Sequence, residues 1–141
     1  MKKVLVGTFY ILQGVGHFVI FVFPSIVRGI NGGGMAGLAI MIRYYFVLAS
    51  CLSFLTALLL FLGRKHWACN YLAKYLGVTS SNLFILFHVL LIIVSFSNVF
   101  VVGYYVYHYF ILLMISSIIV VLNVVAVFGL FSIVKVKHTR D

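Results

Sequence analysis

Gln13 and His17 lie four residues apart in the stretch YILQGVGHFVIF, residues 10–21, which is otherwise almost wholly apolar. An amide and an imidazole at that spacing share one face of a helix. Imidazole is the side chain that ordinarily titrates near neutral pH. The pair could therefore hold a small ligand, take part in a proton path, or tie one helix to another. The rest of the chain narrows the chemistry. Its one acidic residue is Asp141, the last in the sequence. Paired-carboxylate acid–base catalysis is excluded within the chain. So are metal sites and proton relays built on Asp or Glu. Serines and histidines are present, but no acid stands ready to orient a hydrolytic triad. Cys51 sits in an apolar run and Cys69 in an expected polar connector, a placement that favours neither a disulfide nor a metal motif. The glycine-rich RGINGGGMAG, residues 28–37, lacks the Gly-Lys-Ser/Thr ending of a phosphate-binding loop and is expected to be a flexible connection. Catalysis by this chain alone is not expected, and neither is a metal.

The elements that must position Gln13 and His17 follow from composition. Of 141 residues, 65% are hydrophobic and 8% charged, against roughly 25% charged in ordinary soluble domains. Too little polar surface exists to face water, so the chain is expected to form one integral membrane domain, residues 1–141. The net charge of +9 does not form a patch for nucleic acid; the basic residues sit at the ends of apolar runs, where they report topology. The first run, about 4–27, exceeds the roughly 7–15 apolar residues of a signal peptide and is expected to be a retained helix, with Pro24 near its end. A second helix is expected over about 38–62. From Leu83 to Val134 there are 52 residues without Asp, Glu, Lys or Arg. As a single helix these would reach about 78 Å, far beyond a bilayer core of about 30 Å. They are expected to fold as two helices, about 83–102 and 106–134, with Tyr104, Tyr105 and Tyr107 as interfacial anchors at the turn.

Between the second and third helices, residues 64–80 carry Arg64, Lys65, His66 and Lys74. Trp67, Tyr71, Leu72, Tyr75 and Leu76 fall on one helical face, which suggests a cytosolic amphipathic connector anchored by Trp67. Arg43, near the start of the second helix, can snorkel to the headgroups. Eight of the ten Lys and Arg residues fall on alternate connecting segments. That bias predicts an all-α bundle of four transmembrane helices with both termini cytosolic, in a plasma, inner or organellar inner membrane.

Each expected helix offers one polar face, and lipid cannot satisfy such a face. Gln13 and His17 share one; Ser50 and Ser53 share another with Arg43; His88 pairs with Ser95 and Ser116 with Asn123 at spacing seven. By helical rise Gln13 and His17 lie about 14 and 20 Å deep. Ser50, Ser53 and Asn123 lie near the middle of their helices, so these five are expected to share a polar core. His88, counted from a helix starting at 83, lies only about 9 Å deep. Two histidines that bind one haem should be level, and a mismatch of about 11 Å argues against that cofactor. Starting the third helix at Tyr75 would nearly remove the mismatch. A quinone or lipid ligand stays open, as does a purely structural role for His17. Gly7 and Gly14 on the first helix, and Ala49, Ser53 and Ala57 on the second, are expected packing seams.

The stretch YILQGVGHF resembles the first-helix pattern of DoxX-like membrane proteins, in which a glycine precedes a histidine–phenylalanine pair. SFLTALLLFLGRKHWACNYLA is similar to the end of that family's second helix, and the four-helix layout also fits. The resemblance implies a four-helix membrane fold and, for some relatives, redox or quinone chemistry. It carries over to Gly14, His17 and Phe18. Where such proteins often have an acidic residue in the second helix, this chain has Ser53. Three roles follow as expectations. The first is an accessory or structural subunit of a larger membrane complex, a respiratory one among the candidates. The second is a redox or quinone-interacting protein. The third is a small-solute or ion-conducting oligomer. The expected partners are the lipid bilayer and either other membrane subunits or further copies of the chain.

Overall fold

The computed structural model describes residues 2–22, 36–63, 67–101 and 106–135, and every element among them is helical. We label the helices α1 (Lys2–His17), α2 (Ala36–Leu62), α3 (Trp67–Val101) and α4 (Val106–Lys135). All four are long and apolar enough to cross a membrane. A π-helical turn, Phe18–Val22, follows α1. The expected continuation of the first helix to residue 27 lies outside the described residues, as do Tyr104 and Tyr105 and the side chain of Trp67. Gly63 ends α2, donating its N–H to the Leu59 carbonyl at 2.8 Å. A Cβ there would sit 2.4 Å from both that oxygen and the Cys69 Cβ, so only glycine lets α3 begin so soon after.

The third helix differs from expectation. Residues 67–82 are not a separate connector but the first turns of α3, which runs unbroken through Trp67–Val101. The polar residues that suggested a break are accommodated by the helix. Thr79 Oγ1 returns its hydroxyl to the Tyr75 carbonyl at 2.9 Å, and Ser80 and Ser81 are fully buried. Gly77 does not end the helix either. It is where three neighbours converge: a Cβ would come within 2.5 Å of Leu130 Cδ1, 2.9 Å of Thr56 Cγ2 and 3.2 Å of the Tyr10 ring. The earlier start brings His88 deeper, and the expected depth mismatch with His17 disappears.

Consecutive helices pack side by side, with the broadest interface between α3 and α4, while α1 and α4 meet more lightly than any consecutive pair. α1 and α3 lie diagonally across the bundle and meet through side chains. Lys3 reaches Asn70, Tyr10 reaches Gly77 and Ser81, and His17 reaches His88, at separations of 67 to 71 residues. The near-constant offset means that α1 and α3 run parallel and in register. The packing residues expected from sequence are all buried. A Cβ on Gly7 would meet Phe61 at 2.9 Å, and one on Gly14 would meet Phe54 at 3.3 Å, so both glycines sit where α1 approaches α2. Ala49 and Ser53 face α3, through the hydrogen bonds of Ser80, and Ala57 joins the apolar cluster of Val6, Tyr10, Leu60, Ala73 and Leu130. In lipid the attraction between helices comes from such contacts and from hydrogen bonds rather than from escape from water. Ordinarily alanine is favoured over glycine inside a helix by roughly 0.5–1 kcal/mol. Gly77→Ala is expected to reverse that sign and lower stability by about 1–3 kcal/mol. Gly16→Ala, whose Cβ meets nothing within 4 Å, should be neutral or stabilising. Thermal unfolding of both variants in mild detergent checks this.

Candidate functional site, a polar layer inside the bundle

Polar side chains from all four helices meet in the bundle interior. Gln13, His17, Ser50, Ser53, His88, Ser95 and Asn123 are all at most 8% exposed. Two groupings form across the helices. Gln13 Nε2 donates to Asn123 Oδ1 at 2.7 Å, joining α1 to α4. His17 Nε2 lies 3.0 Å from His88 Nε2, and His88 Nδ1 lies 3.3 Å from Ser116 Oγ, joining α1, α3 and α4. His17 and His88 are thus direct partners, which corrects the depth argument that had separated them. Ser50 and Ser95 are buried, but their hydroxyl oxygens have no hydrogen-bond partner among the described residues.

The proton positions follow from what each partner can do. His17 Nδ1 faces the Gln13 backbone carbonyl at 2.9 Å. A carbonyl only accepts, so Nδ1 carries the proton. A neutral imidazole has one N–H, so His17 Nε2 is a bare acceptor. His88 Nε2 must then donate to it, which leaves His88 Nδ1 bare to accept from the Ser116 hydroxyl. One directional chain results: Ser116 to His88, His88 to His17, His17 to the Gln13 carbonyl. With both rings neutral, every ring nitrogen is satisfied. One further proton fits on His88 Nδ1, with Ser116 turning to accept from it. A second would place two cations in contact.

The same reasoning orients the amides. Asn123 Nδ2 donates to the Ile119 carbonyl at 2.9 Å, so its Oδ1 faces Gln13. Gln13 must therefore present its NH₂, and its Oε1 is left buried without a donor. Two further ties lie beside this pair. Ser80 donates to the Ala49 carbonyl at 3.1 Å, so Ser53 donates to Ser80 across 2.6 Å. Tyr10 donates to the Gly77 carbonyl at 3.1 Å and accepts from Ser81 at 2.8 Å. Tyr45 donates to the Leu83 carbonyl, closing the layer at the α2–α3 contact.

Phe84 packs against His17 at 4.2 Å between ring centroids, and Phe46 stacks on it at 5.8 Å. Coordination of one iron by both rings from opposite sides would set the two nitrogens on the order of 4 Å apart, two metal–nitrogen bonds. The two Nε2 atoms are closer than that, at 3.0 Å. Among the described residues no three of His, Cys, Asp and Glu come together. Cys51 is exposed on the outside of the bundle, and Tyr107 is exposed near the start of α4. Arg43 is half-buried near the start of α2.

Sequence reasoning missed Tyr10, Ser80 and Ser81. Their signal was the spacing: Gly77, Ser81 and His88 fall at four and seven residues, one stripe of a single helix, once that helix is allowed to start before Leu83. A scan of protein-family models finds no match, and searches of curated proteins and of solved structures find no similar chain. The hydrogen-bond chain predicts opposite tautomers for its two rings: Nδ1–H for His17 and Nε2–H for His88. Nitrogen-15 solid-state NMR of histidine-labelled protein in lipid distinguishes them. Two Nε2–H rings would overturn the assignment.

Proposed function

We propose that this chain is an accessory or structural subunit of a larger membrane assembly and works through contacts of its helical exterior. The observation that supports this reading is the engagement of the polar layer with itself. A transporter or enzyme needs polar groups left available to a substrate. Here Tyr10, His17, Ser53, Ser80, Ser81, His88, Ser116 and Asn123 hydrogen-bond to one another, to Gln13 or to backbone carbonyls. Their effect is to fix the helices relative to each other. What is left to act is the apolar outside. α4 is the most hydropathic span and the least covered by its own bundle, with 17% of its apolar window buried, and it is the natural face for a neighbouring subunit. The distribution of Lys and Arg supports a topology with both termini cytosolic.

A second reading, a redox or quinone-interacting protein of DoxX-like type, draws support from the Gln13 Oε1 and Ser50 Oγ atoms, which are buried without partners. Native mass spectrometry from mild detergent separates the two. The subunit reading expects a complex of fixed stoichiometry with another membrane chain or with further copies. A lone monomer that carries a small molecule would replace it with the second reading.

A further inference from the structure

The light contact between α1 and α4 leaves a groove of about 580 Å³, within the usual size range of ligand pockets. Its walls are apolar: Leu5, Phe9 and Leu12 from α1, and Leu122, Val125 and Phe128 from α4. The floor is narrow because the helices approach closely there; a Cβ on Gly129 would lie 2.8 Å from Val6 Cγ2. One end of the groove is marked by Lys2 and Ser132. The other lies at Leu12 and Leu122, next to the Gln13–Asn123 hydrogen bond that draws the two helices together.

We propose that this groove seats one acyl chain of an anionic phospholipid from the leaflet at the basic end, with the lipid phosphate at Lys2. Length decides against a partner helix. From Lys2 to Leu12 the groove extends about 15 Å along α1, half of the roughly 30 Å that a transmembrane helix must cross. A chain from a single leaflet matches that depth. Charge decides the headgroup. Lys2 borders the mouth, Lys74 lies over the Phe131 ring at 4.0 Å and Lys3 donates to Asn70, which places three cations at this end of the bundle. No acidic residue occurs among residues 1–140 to oppose a phosphate. The smaller groove of about 240 Å³ between α2 and α3 has no charged residue among those that line it, Met41, Ile42, Tyr45, Leu86, Phe87 and Leu90.

The test is native mass spectrometry of the full chain. The protein is released from nanodiscs that contain equal amounts of phosphatidylglycerol and phosphatidylcholine. Wild type is expected to retain one phosphatidylglycerol about fivefold in preference, the effect of one lysine near an anionic headgroup. Lys2→Gln should abolish the preference while leaving one lipid bound. Val125→Trp and Thr8→Phe fill the groove from opposite walls and should each lose the retained lipid. Leu48→Trp, on a lipid-facing position outside the groove, should keep it. Equal retention of the two lipids by wild type overturns the proposal. So does undiminished retention in both filled variants, or a dimer whose formation excludes the lipid.

Discussion

A polar side chain in hydrocarbon has no water to turn to, and leaving it unpaired costs several kcal/mol. That constraint organises this bundle. The chain carries polar groups on every one of its helices, and most of those buried inside find a partner on another helix or on a backbone carbonyl; among the described residues, Gln13 Oε1 and the hydroxyls of Ser50 and Ser95 are the exceptions. The convergence of Gln13, His17, His88, Ser116 and Asn123 from α1, α3 and α4, with Ser53 and Tyr45 tying α2 to α3, is the solution the fold adopts. It also limits how the helices can slide. Moving α3 by one residue along α1 would turn His88, Ser81 and Asn70 away from His17, Tyr10 and Lys3 together. Apolar packing alone would not impose such a register, because the surrounding lipid tails are as apolar as the helices.

The glycines complement the polar groups. Side chains as short as serine can reach across only where backbones come close, and Gly77 provides that proximity by admitting Leu130, Thr56 and Tyr10 to one point. Tyr10 then donates to the Gly77 carbonyl itself. Gly14 lies between Gln13 and the layer's neighbours on α2, where Phe54 and the Ser50 carbonyl approach it. Close packing and hydrogen bonding are therefore the same device seen from two sides. Along the α1–α4 seam towards the basic end, beyond the Gln13–Asn123 bond, the helices meet through apolar contact of Val6 with Gly129, and a groove lies over that contact.

The four apolar helices and the inward turn of their polar faces were legible in the sequence, because hydropathy and the cost of polar groups in lipid act residue by residue. The start of α3 was not. Residues 78–82, Val-Thr-Ser-Ser-Asn, look like a polar interruption in a one-dimensional scan. They are tolerated in a helix because Thr79 bonds its own backbone and Ser80 and Ser81 bond α2 and α1. Those partners lie 31 and 71 residues away, and no local pattern contains them. The His17–His88 pairing was missed for the same reason, since the depth of His88 was counted from Leu83 rather than from the start of α3 at Trp67. The share of Asn123 in the core could be read from depth, but its bond to Gln13 depended on how α1 and α4 face each other.

The central claim is that the polar layer holds the four helices in one register. A double-mutant cycle on its central pair, His17→Leu, His88→Leu and both together, tests it most directly by reversible unfolding in mild detergent. Each single variant leaves a buried imidazole without its partner and is expected to lower stability by about 1–3 kcal/mol. The double variant should be less destabilised than the sum of the singles by about 1 kcal/mol, the coupling expected of a direct interhelical bond. Strictly additive losses, with no coupling between the two rings, would contradict the account.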